Sequence, residues 1–216
     1  MVTLYQYLHC PYCVRADMVA NYLNIDHKKV FLDNDDTDTG ERLVGKKIVP
    51  ILQLEDGSAM AESMDIVQHL VSMSKTDLHE GSGYQAHLQM LDDISQATRG
   101  LLYPRHIRVT QPEFETQSAR DYFQHKKEDM LGMSFDEAFE NTEAYQSQVE
   151  QTLAALPEVI LPEERDNQLS WDDVMLFPIL RNLTLVKDLK IPDQLRSYIN
   201  QVSKLTNIKC YYDQAV

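Results

Sequence analysis

The chain has 216 residues, 43% of them hydrophobic and 25% charged, which is ordinary for a globular protein and enough for one large or two small cores. Its 20 Lys and Arg are outnumbered by 34 Asp and Glu, and a formal net charge of −14 disfavours nucleic acid and anionic membranes, whose phosphates need clustered positive charge. No apolar run approaches the ~20 residues of a membrane span. The first residues lack the basic start and apolar core of a signal peptide, so the expected location is the cytoplasm.

The first predicted strand, Val2 to Tyr7, leads into Cys10-Pro11-Tyr12-Cys13, and a helix is predicted from Val14 to Leu23. Two cysteines three apart at a strand-to-helix turn can close a small disulfide ring. The first would sit at a helix N-terminus, where free N–H groups and the helix dipole stabilise a thiolate. The chain has only 3 cysteines, and a shuffle places two at this spacing in roughly 3% of cases. Zinc would need a second cysteine pair or an H-x-H-type pair, and neither exists. An inert buried pair is the other alternative, but in a cytoplasm that keeps thiols reduced the redox reading is preferred.

Lys28 to Leu32 reads as a short strand and Thr39 to Val44 as a weak helix ending at Gly45. Ile48 to Leu54 is strand-rich, turns at Glu55-Asp56-Gly57-Ser58 and returns through Ala59-Met60. Ser63 is placed to cap a helix with Ile66, Val67, Leu70 and Val71 on one stripe. Residues 1–73 thus read as β-α-β-α-β-β-α. A crossover joins two parallel strands and a hairpin sits at the other edge, giving a mixed four-stranded sheet with helices on its faces. The polar stretch from Ser74 to Gly83 reads as a linker. Beyond it helices are predicted over 84–103, 116–131, 135–156, 171–187 and 193–207, making residues 84–216 an all-helical domain.

Several residues carry competing readings. Pro50 in an apolar strand-like run marks either an edge or a cis bend that presents the Val49 backbone to an extended peptide. Glu62-Ser63 is either an ordinary cap or an anion site, with helix N–H groups and the Ser63 hydroxyl taking a ligand carboxylate while Glu62 faces its ammonium. Tyr12 could flank a ligand or lie exposed. His9 has no evident orientation as a base, and Cys210 has no sequence partner. Ser170 and Asp173 form a capping-box variant, and Pro178 inside that helix predicts a kink. Asp33 to Thr39 fails as a calcium loop, since Asp38 stands where glycine is needed. Asn182-Leu183-Thr184 matches a glycosylation sequon but lies mid-helix in a chain with no expected export.

The Cys-Pro-Tyr-Cys site, Val49-Pro50 and Glu62-Ser63 resemble a glutaredoxin, and the Ser170/Asp173 box resembles that of glutathione transferases. Glu62-Ser63-Met64-Asp65-Ile66-Val67 and Leu176 to Leu183 are similar to the glutaredoxin 2 family of two-domain bacterial glutaredoxins. The resemblance covers essentially the whole chain. It implies a thioredoxin-like N-terminal domain, a helical glutathione-transferase-like C-terminal domain, and thiol–disulfide exchange at Cys10 and Cys13. Glutathione is the implied co-substrate, with no tightly bound cofactor and no metal. Pro50 is implied to be cis, Val49 to pair with glutathione's backbone, Glu62 and Ser63 to hold its γ-glutamyl end, and Tyr12 to flank it. Disulfide-containing or glutathionylated proteins are the implied partners, and a monomer is expected. The rival readings are a transferase conjugating electrophiles, which leaves Cys13 without a task, and a non-catalytic recognition module.

Overall fold

The computed structural model describes residues 1–216. The chain runs β1 (Val2–Gln6), α1 (Pro11–Tyr22), β2 (His27–Phe31), α2 (Asp38–Val44), β3 (Ile51–Gln53), β4 (Ala59–Met60) and α3 (Ser63–Met73). Seven helices follow: α4 (Gln85–Asp93), α5 (Ser95–His106), α6 (Gln117–Leu131), α7 (Phe135–Glu140), α8 (Thr142–Ala155), α9 (Trp171–Leu183) and α10 (Asp193–Thr206). No helix is long and apolar enough to cross a membrane.

The four strands form one mixed sheet in the order β2-β1-β3-β4, with β1 and β2 parallel and the other pairs antiparallel. The architecture is a mixed sheet with helices on its faces in the first part of the chain and helices alone in the rest. Strand β3 is shorter than predicted because Val49–Pro50 is a cis peptide bond that turns the backbone just before it. Along β1 the alternation buries Val2, Leu4 and Gln6. Gln6 is polar but satisfied, donating its amide to the Asp17 carboxylate of α1 at 3.3 Å. Asp17 also takes Lys29 Nζ of β2 at 2.6 Å and lies 3.6 Å from His27 Nε2. Helix α1 packs on α3, and Met18, Val19, Ile51, Ile66 and Leu70 close this core.

The residues form two compact units. One comprises Met1–Leu78, Thr110–Phe123 and Thr206–Ile208, and the other His79–Val109, Gln124–Leu205 and Lys209–Val216. Residues 110–123, placed by the sequence in the helical half, cluster with the sheet because Glu113 bonds His9 and Phe114 stacks on its ring.

The second unit is built around α5, which touches α7, α8 and α9. Gly100 in α5 leaves room for α8, since a Cβ there would lie 2.5 Å from the Tyr145 ring. Two predicted helices are broken. The 84–103 helix turns at Ile94, whose N–H bonds Asp92 O two residues back, so α4 ends and α5 begins. The 135–156 helix breaks at Asn141, whose amide Nδ2 and backbone N–H both bond Glu137 O; a side chain competing for a helical carbonyl ends the regular ladder. The apolar stripe spans that break, with Phe135, Val149 and Leu153 buried.

The capping box at α9 is complete. Ser170 Oγ accepts from Asp173 N at 3.2 Å, and Asp173 Oδ2 accepts from Ser170 N at 2.8 Å. Asp173 is fully buried and also binds Arg165 at 2.7 Å and the Tyr198 hydroxyl at 2.9 Å. The helix continues through Pro178. The neighbouring Asp172 carboxylate accepts the N–H groups of Ser82, Gly83 and Tyr84, which anchors the end of the 74–83 stretch to α9.

Candidate active site

The thiol pair stands at the start of α1. Cys10 is the N-cap residue in extended geometry, Pro11 fills the first helical position where its missing N–H costs nothing, and Val14 N donates to Cys10 O at 3.0 Å. Cys10 is partly exposed and Cys13 is buried, and both are free thiols. The two sulfurs are unequal. The Cys13 S–H donates to Cys10, and this bond does most to lower the Cys10 thiol to about 6 against the opposing effect of burial. The charge of the His9 ring and the N–H groups of Cys13 and Tyr12 add to the lowering. Burial and the neighbouring thiolate push Cys13 well above the ordinary thiol value, although Tyr7 N–H donates to its sulfur at 3.4 Å. One sulfur thus favours the thiolate and the other keeps its proton.

The other sequence-singled residues surround this helix start. The Tyr12 side chain is exposed, with the Arg15 guanidinium 4.9 Å from its ring centroid. Arg15 Nη1 also points to Ser63 Oγ at 3.5 Å, which links the thiol-bearing helix to the start of α3. Burial lowers the Arg15 guanidinium from its ordinary value. Val49 is half-buried, Pro50 is buried, and the bond between them is cis. Lys46 Nζ pairs with Glu62 Oε1 at 2.9 Å, and both side chains are exposed.

The cap of α3 differs from the sequence reading. Ser63 is not the cap but the first helical residue, and its side chain is buried. Glu62 holds the cap position with φ 70 and ψ 112, a conformation rare outside glycine. No side chain caps α3, so its leading N–H groups face outward from the helix start. The serine-before-helix rule errs by one residue because the positive-φ backbone at Glu62 carries the chain into the helix.

Sequence reasoning gave no role to Glu113. It lies in a 3-10 turn at 112–114, is fully buried, and accepts the backbone N–H of His9 at 2.9 Å and the His9 ring Nδ1 at 2.5 Å. No local motif marks it.

Two family comparisons cover the chain. Residues 9–73 match the glutathione S-transferase N-terminal domain, and residues 87–215 match the glutaredoxin 2 C-terminal domain. The chain is 37% identical over 214 residues to glutaredoxin 2 of Escherichia coli K12, covering 99% of both. The chain belongs to the glutaredoxin 2 family. A crystal structure of glutaredoxin 2 from Salmonella typhimurium in complex with glutathione superposes with a TM-score of 0.93 at 35% identity, over 100% of this chain and 99% of that one. Glutathione transferase GSTFuA2 of Phanerochaete chrysosporium shares the fold at 13% identity, with a TM-score of 0.63 over 96% of this chain and 99% of that one. Glutaredoxin 2 membership agrees with a reactive thiol pair in a glutathione-transferase-like frame.

Proposed function

We propose that the protein is a glutathione-dependent thiol–disulfide oxidoreductase in which Cys10 is the nucleophile and Cys13 the resolving thiol. The observation that carries this reading is the asymmetry of the pair, a partly exposed thiol lowered to about 6 beside a buried thiol that donates to it. Attack by a thiolate whose parent thiol has a value near ambient pH is close to the optimum for disulfide exchange.

The Cys10 thiolate attacks the glutathione sulfur of a mixed disulfide. A Cys10–glutathione bond forms, the old S–S bond breaks, and the released thiolate takes up a proton. A second glutathione thiolate then attacks, leaving as oxidised glutathione and regenerating the Cys10 thiolate. With a protein disulfide, Cys10 first forms a mixed disulfide with one substrate sulfur. Cys13, losing its proton, attacks Cys10 to close the ring and release the reduced protein, and two glutathiones reopen it.

Glutathione is held in this reading by the start of α3, where uncapped N–H groups and Ser63 take its γ-glutamyl carboxylate and Glu62 faces its ammonium. Val49 pairs with its backbone beside cis-Pro50, and Tyr12 lies along its side. No tightly bound cofactor is required, since glutathione supplies the electrons. The same reading makes residues 1–73 the redox domain, residues 74–83 the linker and residues 84–216 the helical domain. It also makes the protein a cytoplasmic monomer acting on disulfide-containing or glutathionylated proteins.

A glutathione-coupled reduction assay on the wild type, Cys10→Ser and Cys13→Ser tests it. Activity toward a glutathionylated substrate is expected in the wild type and in Cys13→Ser, and none in Cys10→Ser. A Cys13→Ser variant as inactive as Cys10→Ser sinks the one-thiol route.

A further inference from the structure

Glu113 has no part in the exchange just described, yet it is a costly residue to place where it is. Its carboxylate is fully buried, and Oε2 has no hydrogen-bond partner. Removing an ionised carboxylate from water costs several kcal/mol unless a pairing offsets it. Both bonds of the other oxygen go to one residue, His9, the neighbour of Cys10. Aromatic rings fix the imidazole on the remaining sides: Tyr7 and Phe114 stack at centroid distances of 5.7 and 5.2 Å, and Phe123 meets it edge-on at 5.3 Å.

We propose that Glu113 is a positioning residue for the thiol pair: it locks the backbone and ring of His9, the residue before Cys10, and so holds the turn that presents the Cys10 sulfur at the start of α1. This rests on the reading of Cys10 as the nucleophile. A carboxylate can only accept, so its contact with Nδ1 assigns the proton there and fixes how the ring is held. The bond to the His9 N–H holds the turn that delivers Cys10 to the helix start. The charges of the pair then act on different sulfurs. The His9 charge favours thiolate at Cys10, while the Glu113 charge opposes it at Cys13 and so keeps there the proton that Cys13 donates. Burial raises the Glu113 carboxyl, and the His9 bonds and charge outweigh this and hold it below its ordinary value. The other ionisable groups around this cluster are Tyr7 just after β1, Asp36 before α2, and Tyr122 on α6, whose ring carries Lys47 Nζ at 3.8 Å.

The test is the pH profile of Cys10 alkylation by iodoacetamide, read by mass spectrometry of the Cys10 peptide in the full-length reduced protein. Glu113→Gln keeps the shape and one acceptor oxygen but removes the charge, and His9→Asn keeps a side-chain N–H donor without a titrating ring. Each is expected to raise the alkylation midpoint by about one pH unit, the lower end of what a close opposite charge does, and so to slow the reaction at pH 6 about fivefold. The double variant is expected to go no further than the larger single effect. A midpoint unmoved in Glu113→Gln with the circular dichroism of the wild type overturns the proposal and leaves Glu113 a packing residue. If that variant does not fold, an unmoved midpoint in His9→Asn overturns it equally. A wild type inert in the glutathione-coupled assay removes the oxidoreductase reading instead, and the alkylation midpoints still decide the role of Glu113.

Discussion

At the residue scale the Cys13 thiol does more for Cys10 than the helix it starts. Because the largest lowering comes from the Cys13 hydrogen bond, the identity of residue 13 sets the reactivity of residue 10. Cys13→Ser keeps a hydroxyl donor and Cys13→Ala keeps none. Losing a donor to the charged form raises the thiol's value. The alkylation midpoint of Cys10 is therefore expected near about 6 in the wild type, to move little in Cys13→Ser and to rise by about one unit or more in Cys13→Ala. Equal midpoints in the two variants would refute the hydrogen-bond account. The thiol pair was legible because Cys10-Pro11-Tyr12-Cys13 is a contiguous four-residue motif. Glu113 was not, since it bonds a residue 104 positions away and Pro112-Glu113-Phe114 looks like any turn.

At the scale of elements, caps were read well where the side chain does the capping and poorly where the backbone does. Ser170 and Asp173 fit the first case. Ser170→Ala is expected to cost about 1 kcal/mol, the usual worth of a cap. Asp173→Asn also strips the buried Arg165 of its charge partner and weakens the Tyr198 bond, so about 3–5 kcal/mol is expected. Urea unfolding midpoints for the two variants check the order; a smaller loss in Asp173→Asn would mean that the box, not the ion pair, dominates. The break at Ile94 illustrates the second case, and the one at Asn141 comes from a side chain that bonds a helical carbonyl rather than an N-terminal N–H. The hydrophobic period continues through both, so only the local hydrogen bonding of Ile94 and the Asn141 amide reveals them. Packing tolerance at one helix crossing is similarly specific. Gly100→Ala drives a methyl into the Tyr145 ring, and overpacking of this kind costs about 1–3 kcal/mol, which should appear as a lower urea midpoint.

For the whole molecule, the Asp17, His27 and Lys29 cluster under the sheet ties stability to pH. Burial raises the Asp17 carboxyl, but the close His27 ring, the Lys29 ammonium and the Gln6 hydrogen bond prevail and hold it below 3.8. The Asp17 carboxylate 3.6 Å away raises His27 above 6.5, against its burial. The His27 contribution is complete below 6.5 and fades as pH climbs through its higher folded value, whereas the Asp17 contribution is complete above 3.8 and fades as pH drops through its lower one. Their joint contribution is greatest between those two ordinary values. The loss of unfolding free energy in His27→Gln is expected to be largest near pH 5 and to shrink by pH 9. A loss that grows with pH would reverse the sign and dismiss the pairing. The fold itself was readable from the β-α-β-α-β-β-α order and the helical remainder. The membership of residues 110–123 in the first unit was not, because it depends on Glu113 and Phe114 reaching a turn far earlier in the chain.

That reach has a consequence for how the protein is made. Residues 9 and 113 are 104 positions apart, so at a synthesis rate of about 5–20 residues per second the thiols emerge roughly 5–20 s before their carboxylate does. For that interval the nascent chain carries Cys10 without the Glu113 clamp on His9, and the aromatic shelter of Phe114 and Phe123 is still to come. The thiol site is therefore a late product of translation, completed only once residues 113–123 have been made.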